Sequence, residues 1–393
     1  MKKEYKFETK AIRQQVEQSS QREHSVPIYA TSSFTFENAE HARAVFAEEE
    51  DGNVYTRFTN PNNDEFVAKL IEMEGAEDGL ATSSGMAAVF LGLVSFLRAG
   101  DHIVASRSLF GSSHQVLVNI LPRWGITHTY IDSNADSEEW EEAIMPQTRL
   151  LFVETPSNPG LDVLDLKQLA DLAESNDCLL VVDNCFATPY LQKPIDFGAH
   201  IVCHSATKFI DGQGRTMGGA ILGSEDTIAE ARMFARQTGP TMSPFNAWIL
   251  SKSLETLAVR MDRHCSNAFT LAKHLKDLKD VAVVRYPFLD SHEKNELAKK
   301  QMTQGGGLVT FSPTGDYQRC LRFVDALEMF SVTSNLGDSR TTVTHPASTT
   351  HSKLSVEEKE AVGITETLLR VSVGLEHIDD IIGDIEQALD KSK

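Results

Sequence analysis

Short apolar runs alternate with segments of helical pattern between residues 66 and 223, and this alternation limits the folds open to the chain more than any other feature. The runs at 101–106, 126–131, 149–154, 179–183, 199–204 and 218–223 are too short for independent helices. Helical patterns separate several of them, notably at 66–74 and 165–175. Runs of this kind predict an α/β fold with a mostly parallel sheet covered on both faces. Sheets so built bind ligands beyond the carboxyl ends of their strands. That rule selects residues 106–113, 154–159, 183–189 and 205–215, where the polar residues are concentrated.

On either side the pattern changes. Residues 1–52 carry helical hints without a strand pattern and read as an N-terminal arm, expected to lie on another subunit or on the next domain. The α/β domain then covers 53–245. From 246 to 393 the chain reads as a smaller α+β unit: a long helical stretch at 243–278, strands near 281–287 and 306–312, a helix near 316–329, a strand at 368–374 and a final helix. The segment 80–97 contains no charge and reaches the lower length limit of a membrane span. Thr82-Ser83-Ser84-Gly85 interrupts it like a helix N-terminus, so a buried core helix is expected instead.

A net charge of -19 argues against nucleic acid as a partner. An anionic ligand would need local arginines and backbone amides to hold it. The five cysteines are widely spaced and form no CxxC pair, which predicts free thiols in a reducing compartment rather than disulfides or zinc. The first ten residues have no apolar core and do not read as a signal peptide. A cytoplasmic protein is expected.

Lys208 follows the apolar run 199–203, with Gly212, Gly214, Gly218 and Gly219 behind it. Lysine at a strand end is commonly a solvated surface residue. If desolvated, its amine has a lowered pKa and can form a Schiff base. Asp183 closes the neighbouring run Leu179-Leu180-Val181-Val182, and a carboxylate there needs a cationic or donor partner. A pyridoxal-type cofactor would satisfy both residues: its protonated ring nitrogen meets the aspartate and its aldehyde carbon the lysine. Ser84, Gly85 and Met86 at a helix start, with Ser205 and Thr207, would cradle its phosphate. A dinucleotide at Gly212 and Gly214 fails on spacing, since the third glycine falls at 218 and residue 217 is Met. No G-x-x-x-x-G-K-[ST] loop is present, and the spacing of His345 and His351 matches no metal motif, so no metal is expected.

The chain resembles the pyridoxal-phosphate-dependent Cys/Met metabolism family, which includes cystathionine γ-synthase, cystathionine lyases, methionine γ-lyase and the O-acylhomoserine sulfhydrylases. The resemblance rests on Tyr55-Thr56-Arg57 with Asn60-Pro61, Ser83-Ser84-Gly85-Met86, Glu154-Thr155-Pro156-Ser157-Asn158-Pro159, Asp183-Asn184, Ser205-Ala206-Thr207-Lys208, His345-Pro346-Ala347-Ser348 and Leu369-Arg370-Val371-Ser372. It implies the fold type I architecture of the aspartate aminotransferase class. It also implies a homotetramer assembled from active dimers with shared sites.

By resemblance, Lys208 is the Schiff-base lysine and Asp183 the partner of the pyridine nitrogen. Gly85, Met86, Ser205 and Thr207 match phosphate contacts, and Tyr55 and Arg57 match a pair delivered from the neighbouring subunit. Arg370 matches the clamp on the substrate α-carboxylate, Asn158 a contact to the cofactor ring oxygen or that carboxylate, and Ser334 a further substrate contact. Phe110 stands where most of the family has tyrosine. Ring stacking survives there, but no phenol can move a proton, which disfavours lyases that depend on one. Arg340 stands where the lyases and synthases often carry glutamate. It is expected either to read the distal carboxylate of a succinyl group or to make a structural ion pair. With Asp211-Gly212-Gln213-Gly214-Arg215, these departures resemble the O-succinylhomoserine sulfhydrylase branch. The activity implied is γ-replacement on O-succinylhomoserine or O-acetylhomoserine by sulfide, giving homocysteine in methionine biosynthesis. Cystathionine γ-synthase, with cysteine as sulfur donor, and methionine γ-lyase are the alternatives within the family, and a non-catalytic cofactor-binding protein is the alternative outside it.

Overall fold

The computed structural model describes residues 5–352, 359 and 362–393. Seven strands form the larger sheet: β1 (Asp78–Thr82), β2 (His102–Ser106), β3 (Thr127–Ile131), β4 (Thr148–Glu154), β5 (Leu179–Asp183), β6 (Ile201–His204) and β7 (Gly219–Gly223). Their spatial order is β1-β7-β6-β5-β4-β2-β3. Strands β2 to β6 run parallel, while β7 is antiparallel to both β1 and β6. The mostly parallel sheet read from the alternation is therefore present, with one reversed strand near its edge.

Both faces are apolar because alternate residues of each strand enter different cores. Ile103, Phe152, Val181, Ile201 and Ile221 face one side, where the helix Gly85–Val94 packs. Val104, Leu151, Val182, Val202 and Leu222 face the other, against the helices Pro61–Glu74 and Leu166–Ser175. Continuing that alternation to the strand ends places Glu154 and Asp183 on the same face as the helix Gly85–Val94.

β1 is the strand of this sheet that the sequence pattern misses. Asp78 and Gly79 are poor strand formers, and the residues after them merge into the apolar helix. Pairing with β7, from Asp78 opposite Gly223 to Thr82 opposite Gly219, imposes the extended form. The uncharged 80–97 segment is thus divided between β1 and a ten-residue helix, Gly85–Val94, with Ser84 accepting from the Ala87 amide as its N-cap. No helix among the described residues is long and apolar enough to cross a membrane.

A second sheet has the order β10-β11-β12-β9-β8, built from β8 (Val281–Arg285), β9 (Leu308–Pro313), β10 (Ser331–Val332), β11 (Thr342–Thr344) and β12 (Leu369–Ser372). β10 and β11, of two and three residues, are too short to leave a periodic signal. The helical stretch after residue 243 divides into Pro244–Leu254 and Leu257–Lys276. Part of the N-terminal stretch is anchored on its own chain: Ala11 is buried, and Trp248 Nε1 donates to the Val26 carbonyl at 2.9 Å.

Candidate active site

The carboxyl ends of β4, β5 and β6, the start of the helix Gly85–Val94 and the segment 334–336 enclose a cleft of about 340 Å³. Among its lining residues are Lys208, Asp183, Phe110, Asn158, Ser334 and Arg370, together with Ser84, Gly85, Met86, Ser205 and Thr207. The candidate residues that the structure does not bring to this cleft are Tyr55, Arg57 and Arg340.

β6 ends at His204, and the turn after it carries Lys208 beside the carboxyl end of β5. Three interactions stiffen this turn. Thr207 Oγ1 bonds the Gly218 backbone at 3.2 Å, and the Arg260 guanidinium donates to the carbonyls of Phe209 at 2.6 Å and Ile210 at 3.0 Å. Gly212, with φ +69°, allows that guanidinium its close approach, since a Cβ there would fall 2.1 Å from Arg260 Nη1. Lys208 Nζ donates to Asn335 Oδ1 at 2.8 Å. Burial pulls the Lys208 amine below its ordinary value, with Arg370 adding to the effect.

Asp183 is buried, and its Oδ1 accepts from the Cys185 amide at 3.1 Å. Burial raises its carboxyl group to about 6. Arg370, on β12, donates from Nη1 to Asn158 Oδ1 at 3.0 Å and from Nη2 to the Ser334 carbonyl at 2.9 Å. Burial lowers it to about 10, so it stays charged at neutral pH. Its Nε is buried without a partner among the described residues.

The start of the helix Gly85–Val94 has free amides that could hold an anion. Ser84 satisfies the amides of Ala87 and Ala88, which leaves those of Gly85 and Met86 as the helix's outward donors. Residue 85 must be glycine, because a Cβ there would lie 2.4 Å from Ser205 Cβ and 2.9 Å from Ser205 Cα. Overpacking against backbone costs about 1–3 kcal/mol. Gly85→Ala is therefore expected to weaken cofactor retention by about tenfold or more, measured by the visible absorbance left after dialysis.

Tyr55 and Arg57 line a separate, open surface pocket with Phe245. Arg57 Nη1 donates to the Arg236 carbonyl, and its guanidinium lies 4.7 Å from the Phe58 ring centroid. Arg340 is held by Asp338, with Nε to Oδ1 and Nη2 to Oδ2 both at 2.9 Å. The cleft also contains residues that the sequence reading gave no role. Glu154 and Cys185 line it, and Asn335 bonds Lys208. Glu154 could have been found, since it closes an apolar strand as Asp183 does; Asn335 carries no such signal. The five cysteines are all unpaired, as their spacing predicts.

A nucleophilic amine, a buried carboxylate without an ion-pair partner among the described residues and a helix-end cradle for an anion are the donor set that pyridoxal 5'-phosphate requires. The fold and this set define a pyridoxal-phosphate enzyme of fold type I. Within that class, the chain belongs to the Cys/Met metabolism PLP-dependent enzymes, whose family pattern matches residues 8–390. It is 44% identical over 383 residues to an O-succinylhomoserine sulfhydrylase of Pseudomonas aeruginosa, spanning 98% of this chain and 95% of that one. To an L-methionine gamma-lyase of Porphyromonas gingivalis it is 41% identical, spanning 93% and 92%. The structure of a candidate O-acetylhomoserine (thiol)-lyase of Campylobacter jejuni superposes with a TM-score of 0.94 at 33% identity, covering 98% of this chain and 100% of that one. That structure contains N'-pyridoxyl-lysine-5'-monophosphate.

Proposed function

We propose that the chain catalyses γ-replacement on an O-acylhomoserine, with succinyl as the preferred acyl group and sulfide as the sulfur donor, to give homocysteine for methionine biosynthesis. The observation that carries this reading is that Lys208 and Arg370 line one cleft whose aromatic side chains among the described residues, Phe110 and Phe186, carry no phenol. The likeness to the Pseudomonas sulfhydrylase supports the choice of substrate.

Pyridoxal phosphate, when bound, supplies the electron sink for a carbanion. Asp183 and the Gly85 and Met86 amides would hold its ring nitrogen and phosphate, with Ser205 and Thr207 beside the phosphate. Arg370 binds the substrate α-carboxylate, a task suited to guanidinium geometry. Lys208 Nζ would carry protons one at a time: it takes the Cα proton, gives it up to the bound cofactor and, as a neutral amine again, takes a Cβ proton; the Cγ–O bond then breaks and the acyl group leaves as a carboxylate. Sulfide forms the new bond at Cγ, and Lys208 returns protons to Cβ and Cα.

Tyr55 and Arg57 act in the site of a neighbouring copy, in keeping with their place on the surface outside this chain's own cleft. The working form is a cytoplasmic homotetramer, each chain comprising the arm, the cofactor-binding domain to residue 245 and the C-terminal domain. To Arg340 we assign the ion pair with Asp338, because both carboxylate oxygens engage it away from the cleft lining. Arg340→Ala is then expected to change the preference for succinyl over acetyl substrate by less than about twofold. A loss confined to the succinyl substrate would make Arg340 its distal-carboxylate contact instead. Product analysis with O-succinylhomoserine and O-acetylhomoserine, each offered sulfide or cysteine, tests the activity. Cystathionine as main product would mark a synthase, and 2-oxobutyrate without added nucleophile a lyase.

A further inference from the structure

Glu154 closes β4 directly beside Asp183, which closes β5; the two are register partners on adjacent parallel strands. Neighbouring strands lie about 4.8 Å apart, so two carboxyl groups on the same face share one desolvated space. Glu154 is buried and lines the cleft. Its Oε2 accepts from the Phe110 amide at 2.6 Å, and the Asn158 amide reaches the same carboxyl group. These are backbone donors from two separate loops: Phe110 forms the aromatic wall, and Asn158 holds the Arg370 guanidinium.

We propose that Glu154 is a positioning residue, fixing Phe110 and Asn158 in the cleft through its acceptor oxygens without needing a negative charge. Three observations support the second half. Among the described residues no lysine or arginine pairs with Glu154; the two cationic groups in the cleft are engaged elsewhere, Lys208 by Asn335 and Arg370 by Asn158 and the Ser334 carbonyl. The other titratable neighbours are Asp183 and Cys185, neither of which stabilises an anion. Burial, and after it the charge of Asp183, raise the Glu154 carboxyl group well above the ordinary range. Of two carboxyl groups at adjoining strand ends, Asp183 is the one left to carry charge, and Glu154 serves as a neutral tie.

The inference rests on the cofactor reading of the cleft and not on the identity of the acyl substrate, so its test reads the cofactor. Glu154→Gln keeps an acceptor oxygen and removes any charge; Glu154→Met fills the same space and removes both. In the cofactor-loaded full chain, Glu154→Gln is expected to hold the pH midpoint of the visible cofactor band within about 0.3 unit of the parent and to retain cofactor equally well. Glu154→Met should lose cofactor about tenfold more readily and alter the near-UV dichroism of the bound cofactor, because Phe110 is no longer fixed. A shift of more than about one unit in Glu154→Gln would show that charge is needed and overturn the proposal. So would parent-like behaviour of Glu154→Met. If Glu154→Met fails to fold, Glu154→Gln alone decides, by the same two limits. A parent chain without a cofactor band would sink the cofactor reading together with this one, and is told apart by that control.

Discussion

Lys208→Ala is expected to lower turnover by at least about 10³-fold, because the proposed mechanism makes this one amine both nucleophile and proton carrier. The fold should survive. Among the described residues the amine's one hydrogen-bond partner is Asn335, and it sits in a desolvated cleft that disfavours its charge, so little native stabilisation is lost. A change of only a few degrees in Tm is expected. Lys208→Arg should lose as much activity, since a guanidinium keeps the charge but cannot act as nucleophile or base near neutral pH. In the cofactor-free protein, a small amine reagent should label Lys208 with a midpoint below the ordinary 10.5, because burial favours the neutral amine. Single-turnover kinetics and the visible spectrum check the first expectation, and labelling followed by mass mapping checks the second. Turnover within tenfold of the parent in Lys208→Ala would remove this residue from the mechanism.

The two halves of this site differ in how far the sequence reveals them. Asp183 ends one buried apolar strand and Lys208 follows closely after another, where a charged residue is conspicuous against its neighbours, and the rule that ligands gather at the carboxyl ends of parallel strands brings them together. Glu154 carries the same signal and adjoins Asp183 in register. The opposite wall is less legible. Asn335 lies in the irregular segment between the two-residue β10 and the three-residue β11, and meets Lys208 across 127 positions of chain. Its contact depends on how the second sheet packs against the first, which no local periodicity encodes. Gly85 is intermediate: its place at a helix start is readable, but the close approach of Ser205 that excludes a side chain is purely tertiary. The β1 strand was hidden for a related reason, since pairing with β7 overrides the weak strand preference of Asp78 and Gly79.

Asp183→Asn should separate stability from activity. In the cofactor-free protein Asp183 is a buried carboxyl group that makes no ion pair among the described residues, and burial, opposed by the weaker pull of His204 and Lys208, raises it from 3.8 to about 6. Between those values the native state binds more protons at this site than the unfolded chain. Its contribution therefore favours folding at low pH and is lost as the pH rises through about 6. Asparagine has no such titration, and its amide oxygen can still accept from the Cys185 amide. The cofactor-free variant should thus match the parent near pH 4 and exceed it in Tm at pH 7 and above. With cofactor the order reverses. A neutral amide cannot form the charge-assisted bond to a protonated ring nitrogen, a loss of about 1.5–3 kcal/mol, so cofactor affinity should fall by roughly ten- to a hundredfold and turnover with it. Removing the Asp183 charge also relieves the second cause that raises the Glu154 carboxyl group, so the response of Glu154 acts in the same direction. Thermal melts of the cofactor-free proteins from pH 4 to 8, paired with cofactor titrations at pH 7.5, test both directions. A variant that is less stable than the parent at pH 7, or that binds cofactor equally well, would count against the ring nitrogen as the proposed partner of Asp183.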